Sequence, residues 1–318
     1  AWITLMNDYS QWFFKTRLKS RQMLLLVAIA EEGNIHKAAK ALFMTQPSAS
    51  KLLKDLETML EVDLFERLPR GMVPTPYGEM LIRQARIAVN ALNQAHEQIQ
   101  SAKNGFDGLI RLGCISSPAL SWLPNTINAL QKEHPRLQMK VEINTSNVLI
   151  DKLMQTELDL AVARLSPSDD RELLHYEPIA DEPVSMVARK GHPLANHPDL
   201  TLEMLIDQPW VISPRGSALR IRFDSLLQSL NMRQPHSLIE SSSLLFITKM
   251  MQQSDMVSLI GAEVASYYEQ HGLLCFLPIQ LPFDMDPFGL IFRKDIPLSP
   301  AATRALQGLR QSATHIYL

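Results

Sequence analysis

A chain of 318 residues is too long for one small core and predicts two or three domains. Its composition, 46% apolar and 20% charged with no low-complexity run or solenoid repeat, is that of a globular protein, and no apolar stretch approaches the roughly 20 residues that cross a bilayer. A net charge of −2 argues against a protein that coats nucleic acid at large, and two distant cysteines, Cys114 and Cys275, exclude a disulfide framework and favour the cytoplasm.

Residues 1–19 contain no basic segment leading into an apolar one, so no secretion signal is expected; residues 1–20 read as a tail, with Met6 an alternative start. From Arg17 to Lys103, twelve Lys and Arg outnumber nine Asp and Glu, a sign that suits DNA contact. Residues 21–33 predict a first helix with Met23, Leu24, Leu26, Val27 and Ala30 on its apolar face. Gly33 ends it, and Asn34 can cap a short second helix, 35–42, that buries Ala38, Ala39 and Leu42. After a turn at Phe43-Met44, Thr45 caps a third helix. Pro47 fits its first turn, where the missing N–H would be unpaired anyway. This helix should bury Ala49, Leu52, Leu53, Leu56 and Leu60, leaving Gln46, Ser48, Lys51, Lys54 and Asp55 on its other face.

A short helix, a tight turn and a helix with a polar outer face fit a helix-turn-helix, whose second helix lies in the major groove. There Gln46 can bond an adenine edge and Lys51 a guanine edge or phosphate, while Ser48 and Ser50 let the backbone approach. A three-helix bundle with a solvated polar face fits the same pattern. The residue identities add to it: Ala38-Ala39-Lys40-Ala41-Leu42, Thr45-Gln46-Pro47-Ser48-Ala49-Ser50-Lys51, Leu56-Glu57, Leu64-Phe65-Glu66-Arg67, Arg70-Gly71 and Pro74-Thr75-Pro76-Tyr77-Gly78-Glu79. Over most of the stretch from Arg21 to Arg86 this resembles the LysR-type regulators, and the later words are most similar to the branch regulating sugar-binding-protein and aromatic-acid genes. Glu61 departs from the glycine the family usually has at the end of the recognition helix. The resemblance implies a winged helix-turn-helix with residues 62–75 as two wing strands, Arg67 and Arg70 touching phosphate or the minor groove. The DNA-contacting set is then Thr45, Gln46, Pro47, Ser48, Ser50, Lys51, Lys54, Arg67 and Arg70.

Thr75 caps and Pro76 starts a long helix to about Lys103. Leu81, Ala85, Ala88, Leu92, Ala95, Ile99 and Ala102 form a heptad seam rich in alanine. A lone amphipathic helix packed on the next domain fits too; the resemblance implies a dimerising linker. Gly105 and Gly108 bracket a hinge. Beyond it, strand-like runs at 109–115, 137–143, 158–163, 184–188, 210–212, 257–260 and 290–292 alternate with helices such as 120–131 and 300–310, which predicts parallel sheets covered by helices. A break around 166–181 suggests two lobes. The words Glu157-Leu158-Asp159-Leu160-Ala161, Gly191-His192-Pro193-Leu194-Ala195 and Leu298-Ser299-Pro300-Ala301 resemble the regulatory domain of the same family.

Ligands in open α/β sheets sit at the carboxyl ends of strands. Ser116-Ser117 ahead of a helix at Pro118, Thr145-Ser146-Asn147, and Ser213-Pro214-Arg215-Gly216-Ser217 fit that position, although Ser, Thr and Asn at helix starts also serve simply as caps. The resemblance supports Ser117 and Ser146 in particular and places Arg164 in the same cleft. The effector-binding set is Ser116, Ser117, Ser146, Asn147, Arg164, Arg215 and Ser217. Cys114 reads as a buried small hydrophobe or an oxidant sensor, and the nine histidines, His36 included, show no metal-ligand spacing.

The expected fold is α/β with an all-α/winged-helix N-terminal domain. A winged helix-turn-helix (21–75) leads through a linker helix (76–104) to a two-lobed periplasmic-binding-protein-like (type 2) regulatory domain (105–318). Lobe I comprises 109–180 and 286–318, lobe II 181–285. The expected partners are double-stranded DNA carrying a pseudo-palindromic operator, a small polar or anionic effector and further copies of the chain as a homodimer or homotetramer. RNA polymerase joins them if the chain activates; no catalytic residue, metal, cofactor or membrane is expected. A transport solute-binding protein would lack the helix-turn-helix and carry a signal peptide, and an enzyme would need a reactive cluster that the sequence does not offer.

Overall fold

The computed structural model describes residues 17–317, in two compact units divided between Ile99 and Gln100. The reading of residues 1–16 as a tail and the alternative start at Met6 lie outside the described residues; Ser20, assigned to the tail, instead opens the first helix.

The first unit begins with α1 (Ser20–Glu32), α2 (Ile35–Ala41) and α3 (Gln46–Leu60). Gly33, at φ 61, closes α1 in the left-handed conformation that glycine adopts without a Cβ penalty. Asn34 Oδ1 then accepts from the backbone N–H of His36 and of Lys37, capping α2. The buried face of α1 is Gln22, Leu25, Leu26, Ala28 and Ile29, which corrects the expected stripe: Leu24 is exposed, and Met23, Val27 and Ala30 only flank the core. Gln22 is admitted because its Oε1 accepts from Lys19 N and its Nε2 donates to Leu52 O. α3 buries Ala49, Leu53 and Leu56, while Leu42, Leu52 and Leu60 stay half-buried at the margin. Each fully buried leucine contributes about 1.5–3 kcal/mol.

The antiparallel hairpin β1 (Phe65–Leu68) and β2 (Gly71–Pro74) is shorter than the expected wing, with Leu68 opposite Gly71. Two bonds fix its place: Met72 N donates to Gly33 O at 2.8 Å, and Leu64 N donates to Glu57 Oε1 at 2.9 Å. Helix α4 (Pro76–Lys103) follows, its first turn capped where Gly78 N donates to Thr75 Oγ1. Along the seam Ala85 is buried, but Leu92 and Ile99 are 60% and 59% exposed.

The second unit is built on a five-stranded, a three-stranded and a two-stranded sheet. Strands β3 (Leu109–Cys114), β4 (Gln138–Ile143), β5 (Leu160–Ala163), β6 (Leu174–Ala180) and β12 (Phe288–Arg293) lie in the order β4-β3-β5-β12-β6. The other lobe holds β7 (Val184–Arg189), β10 (Ser258–Gly261) and β11 (Leu274–Phe276), ordered β10-β7-β11, with β8 (Trp210–Ile212) paired to β9 (Leu238–Glu240) beside them. The expected parallel pairing is present in β4-β3-β5 and in β8-β9, and is corrected elsewhere. β12 runs against β5 and β6, and β7 runs against β10 and β11. These are the strands by which the chain enters each lobe from the other, so each must start at the lobe boundary. The strands running against them end there, and that is where their successor helices begin. Among these are α5 (Ser116–Leu120) after β3, α7 (Ser146–Met154) after β4, and α11 (Ala262–Gln270) after β10. α9 (Ala218–Ser229) follows β8 after a short turn, and α10 (Leu244–Gln252) follows β9. α6 (Leu123–Glu133) and α12 (Pro300–Tyr317) pack on one another, and α7 packs on β3, β5 and β12. The single helix expected at 120–131 is two, broken at Ser121-Trp122, and Ser116 and Ser117 lie inside α5 instead of ahead of it. α8 (Leu202–Ile206) completes the set. No helix among the described residues is long and apolar enough to cross a membrane.

Candidate DNA-reading face and effector cleft

Thr45 sits at the N-cap of α3, where its Oγ1 accepts from Ser48 N and donates to Ser48 Oγ at 3.0 Å. The next turns hold Gln46, Pro47, Ser48, Lys51 and Lys54 exposed, with Ser50 half-buried beside them. Burying Ala49, Leu53 and Leu56 on the opposite side is what turns these residues outward. Arg67 on β1 and Arg70 in the hairpin turn are exposed as well. None of these five long side chains, Gln46, Lys51, Lys54, Arg67 and Arg70, is bound to another group among the described residues. The first unit therefore brings the whole expected DNA-contacting set to its surface. The sequence places Phe43 in the turn between α2 and α3 without announcing its full exposure at φ 54, and it gives no sign that the Glu57 carboxylate anchors the wing.

In the second unit a cavity lies between the lobes. Ser116, Ser117, Ser146 and Arg164 line it from the five-stranded lobe and Ser217 from the other; Asn147 and Arg215 do not. Asn147, next along α7 from Ser146, is exposed, and so is Arg215, with Glu240 3.7 Å from its Nε. Ser217 does what a cap does: its Oγ accepts from Arg220 N. Arg220 itself, 1% exposed, donates to Asp224 Oδ1 at 2.8 Å and Glu240 Oε1 at 2.9 Å, tying α9 to β9.

Arg164 is buried in the cavity wall and bonds to both connections between the lobes. Its Nη2 pairs with Glu182 Oε2 on the first crossing, and its Nε donates to the Asp286 carbonyl at 2.7 Å on the second. The second Glu182 oxygen accepts from Ser117 Oγ, and Ser146 Oγ accepts from Arg164 N at 3.1 Å. Burial pushes the Glu182 carboxyl above its ordinary range, and the Arg164 guanidinium pulls it back only in part. Gly261 closes over this group; a β-carbon there would stand 2.0 Å from Glu182 Oε1. The rest of the lining includes the apolar side chains of Leu244, Ile247, Ile260, Val264 and Met285. Glu182 went unnoticed in the sequence because a lone glutamate between strands has no spacing signal. Cys114 is fully buried and its thiol is pushed up by burial, with the Glu182 charge adding to it, which fits a small core residue. No cluster of three or more His, Cys, Asp or Glu that could hold a metal ion occurs among the described residues.

Two family models match this chain. Residues 20–79 match the bacterial regulatory helix-turn-helix protein of the lysR family, and residues 103–314 match the LysR substrate binding domain. The HTH-type transcriptional regulator GbpR of Azospirillum brasilense is 37% identical over 305 residues, covering 96% of this chain and 89% of that protein. The HTH-type transcriptional regulator PcaQ of Agrobacterium fabrum is 26% identical, covering 95% and 97%. Among solved structures, CbnR, a LysR family transcriptional regulator, superposes with a TM-score of 0.63 at 20% identity over 93% of this chain and 99% of that one, a likeness of fold. With most of its length matched by the two models, the chain belongs to the LysR family of DNA-binding transcriptional regulators, which are not enzymes, and carries that family's effector-binding domain.

Proposed function

We propose that this regulator binds a pseudo-palindromic operator as a dimer or tetramer in the cytoplasm and that a small polar effector in the inter-lobe cleft sets its affinity for that DNA. Gln46 and Lys51 read base edges and phosphate, Arg67 and Arg70 hold the backbone, and the α4 seam pairs two chains so that two recognition helices reach two half-sites. If the chain activates, RNA polymerase is the further partner. The observation that carries the reading is the convergence of Ser117, Ser146 and Ser217, all buried, on one cavity whose walls come from two lobes. A ligand that touches both walls favours one lobe arrangement, and only such differential affinity shifts a population. The test is a DNA shift assay on promoter fragments with candidate effectors, run on the wild type and on Ser146→Ala. Effector response should weaken in the variant while ligand-free DNA binding stays. A response unchanged in both Ser117→Ala and Ser146→Ala would leave these serines as structural residues.

A further inference from the structure

The cleft is lined by one cationic and one anionic side chain, Arg164 and Glu182, and each is the other's partner. Arg164 is further held by the Asp286 carbonyl and Glu182 by the Ser117 hydroxyl, so the guanidinium serves the two lobe crossings and its charge is balanced by Glu182. An anion entering this space meets the Glu182 carboxylate with the nearby cation already engaged, and like charges brought together out of water repel strongly. Hydroxyls suffer no such penalty. They can donate to Glu182 and accept from Ser146 and Ser217, while the apolar lining around Leu244, Ile247 and Val264 takes a carbon face.

We propose that the effector is an uncharged, hydroxyl-bearing small molecule with one apolar face, and that Glu182 is the residue that excludes anions by occupying Arg164. This rests on the cleft being the effector site, and it narrows that site to one ligand class.

The full-length chain is titrated by calorimetry with a hexose panel, with the matching hexuronates, and with benzoate. The wild type should bind none of the carboxylates. Glu182→Gln, which frees the guanidinium, should bind them more tightly by about tenfold or more. The double variant Arg164→Gln, Glu182→Gln, with no charge in the wall, should gain nothing. It guards against a gain that comes from a loosened fold, and circular dichroism reports whether either variant fails to fold. Carboxylate binding by the wild type that is lost in Ser146→Ala overturns the uncharged class and leaves the cleft as the effector site. Absence of any gain in a folded Glu182→Gln also overturns it. Hexose or carboxylate binding that survives in both Ser117→Ala and Ser146→Ala instead removes the site from the cleft, and with it the reading on which this rests. Should Glu182→Gln not fold, the wild-type titration decides alone: binding of a hexuronate at least as tight as its hexose overturns the proposal, and weaker or absent hexuronate binding supports it.

Discussion

Gly78 lies against the carbonyl of Leu64 with no room for a side chain: a β-carbon on it would stand 2.0 Å from that oxygen. The contact sets where the start of α4 meets the foot of the wing, beside the bond from Thr75 N to the same oxygen. Gly78→Ala must push the two apart, and overpacking of this kind costs about 1–3 kcal/mol. Urea unfolding should show the loss, and DNA affinity should fall because the wing shifts relative to α3. A variant as stable as wild type would show that the backbones yield without cost.

Glu61 ends α3 at φ 57 and ψ 28, the left-handed region where a β-carbon is strained. The helix closes with the geometry a glycine would use, but with a glutamate supplying it. Glu61→Gly should therefore relieve the strain and raise stability by about 0.5–1 kcal/mol, less whatever the more flexible unfolded chain takes back. Thermal unfolding reads the sign directly; a lower Tm would mean that the exposed Glu61 side chain contributes more than its backbone loses.

The local rules explain why the first unit was legible and the second only partly so. Asn34, Thr45 and Pro47 each act within a few residues of themselves, so sequence alone predicts the caps of α2 and α3 that the structure carries. The burial of α1 depends instead on which side α2 and α3 approach, and its stripe comes out turned, with Leu24 outside. β6, with Glu177 and Pro178 in its middle, lies at a sheet edge and has no apolar run to announce it. β9 and β11 span three residues each, too short for alternation to register. In the cleft, hydroxyls at strand ends point to Ser117 and Ser146, but the Arg164–Glu182 pair joins residues brought together only by the chain's first crossing between lobes. Arg215 looked like a ligand group until its partner on β9 was in place.

Gln46 stands exposed in the first turn of α3 with no partner among the described residues. A bidentate base contact from such a residue is worth about 1–3 kcal/mol of discrimination. Gln46→Ala should lose that much on operator DNA and almost nothing on random DNA, whereas Lys51→Ala should reduce the salt dependence of both if it holds phosphate. Anisotropy titrations at two salt concentrations separate these outcomes. Equal loss on both DNAs for Gln46→Ala would remove it from base reading.

Acid stability should carry the mark of Glu177. Its carboxylate on β6 accepts from Arg310 Nε at 2.7 Å and contacts His175 Nε2 at 2.8 Å. The Arg310 hydrogen bonds hold its carboxyl below the ordinary range against the opposing effect of burial, with His175 adding to the depression. A depressed folded-state value means stability that is present above the ordinary carboxylate range and disappears as pH falls through the folded-state value. The wild type should thus be more stable than Glu177→Gln at about pH 7, and the gap should close toward about pH 3. Since the pair is partly exposed, the gap should also shrink with added salt. A Tm difference that stays constant from neutral pH into acid would assign the Glu177 effect to packing.

Leu92 and Ile99 leave large apolar surface in water on a helix whose seam continues from the buried Ala85 through Ala88 and Ala95. Exposed apolar positions repeating at heptad spacing describe a face that a second helix would cover, and alanine between them permits close approach. With so little side chain in each layer, each leucine or isoleucine matters disproportionately. Leu92→Asp puts a carboxylate into that seam, and a charge buried there without a partner costs far more than the lost apolar contact. Because Leu92 is exposed in the single chain, the substitution should leave the fold of each unit unchanged by circular dichroism. Sedimentation should then show a smaller species than wild type. Affinity for an operator with two half-sites should fall much more than affinity for one half-site, because linking two binding events is what multiplies their strength. If the variant sediments as the wild type does and binds the two-half-site operator equally well, the seam on α4 is not where the chains meet.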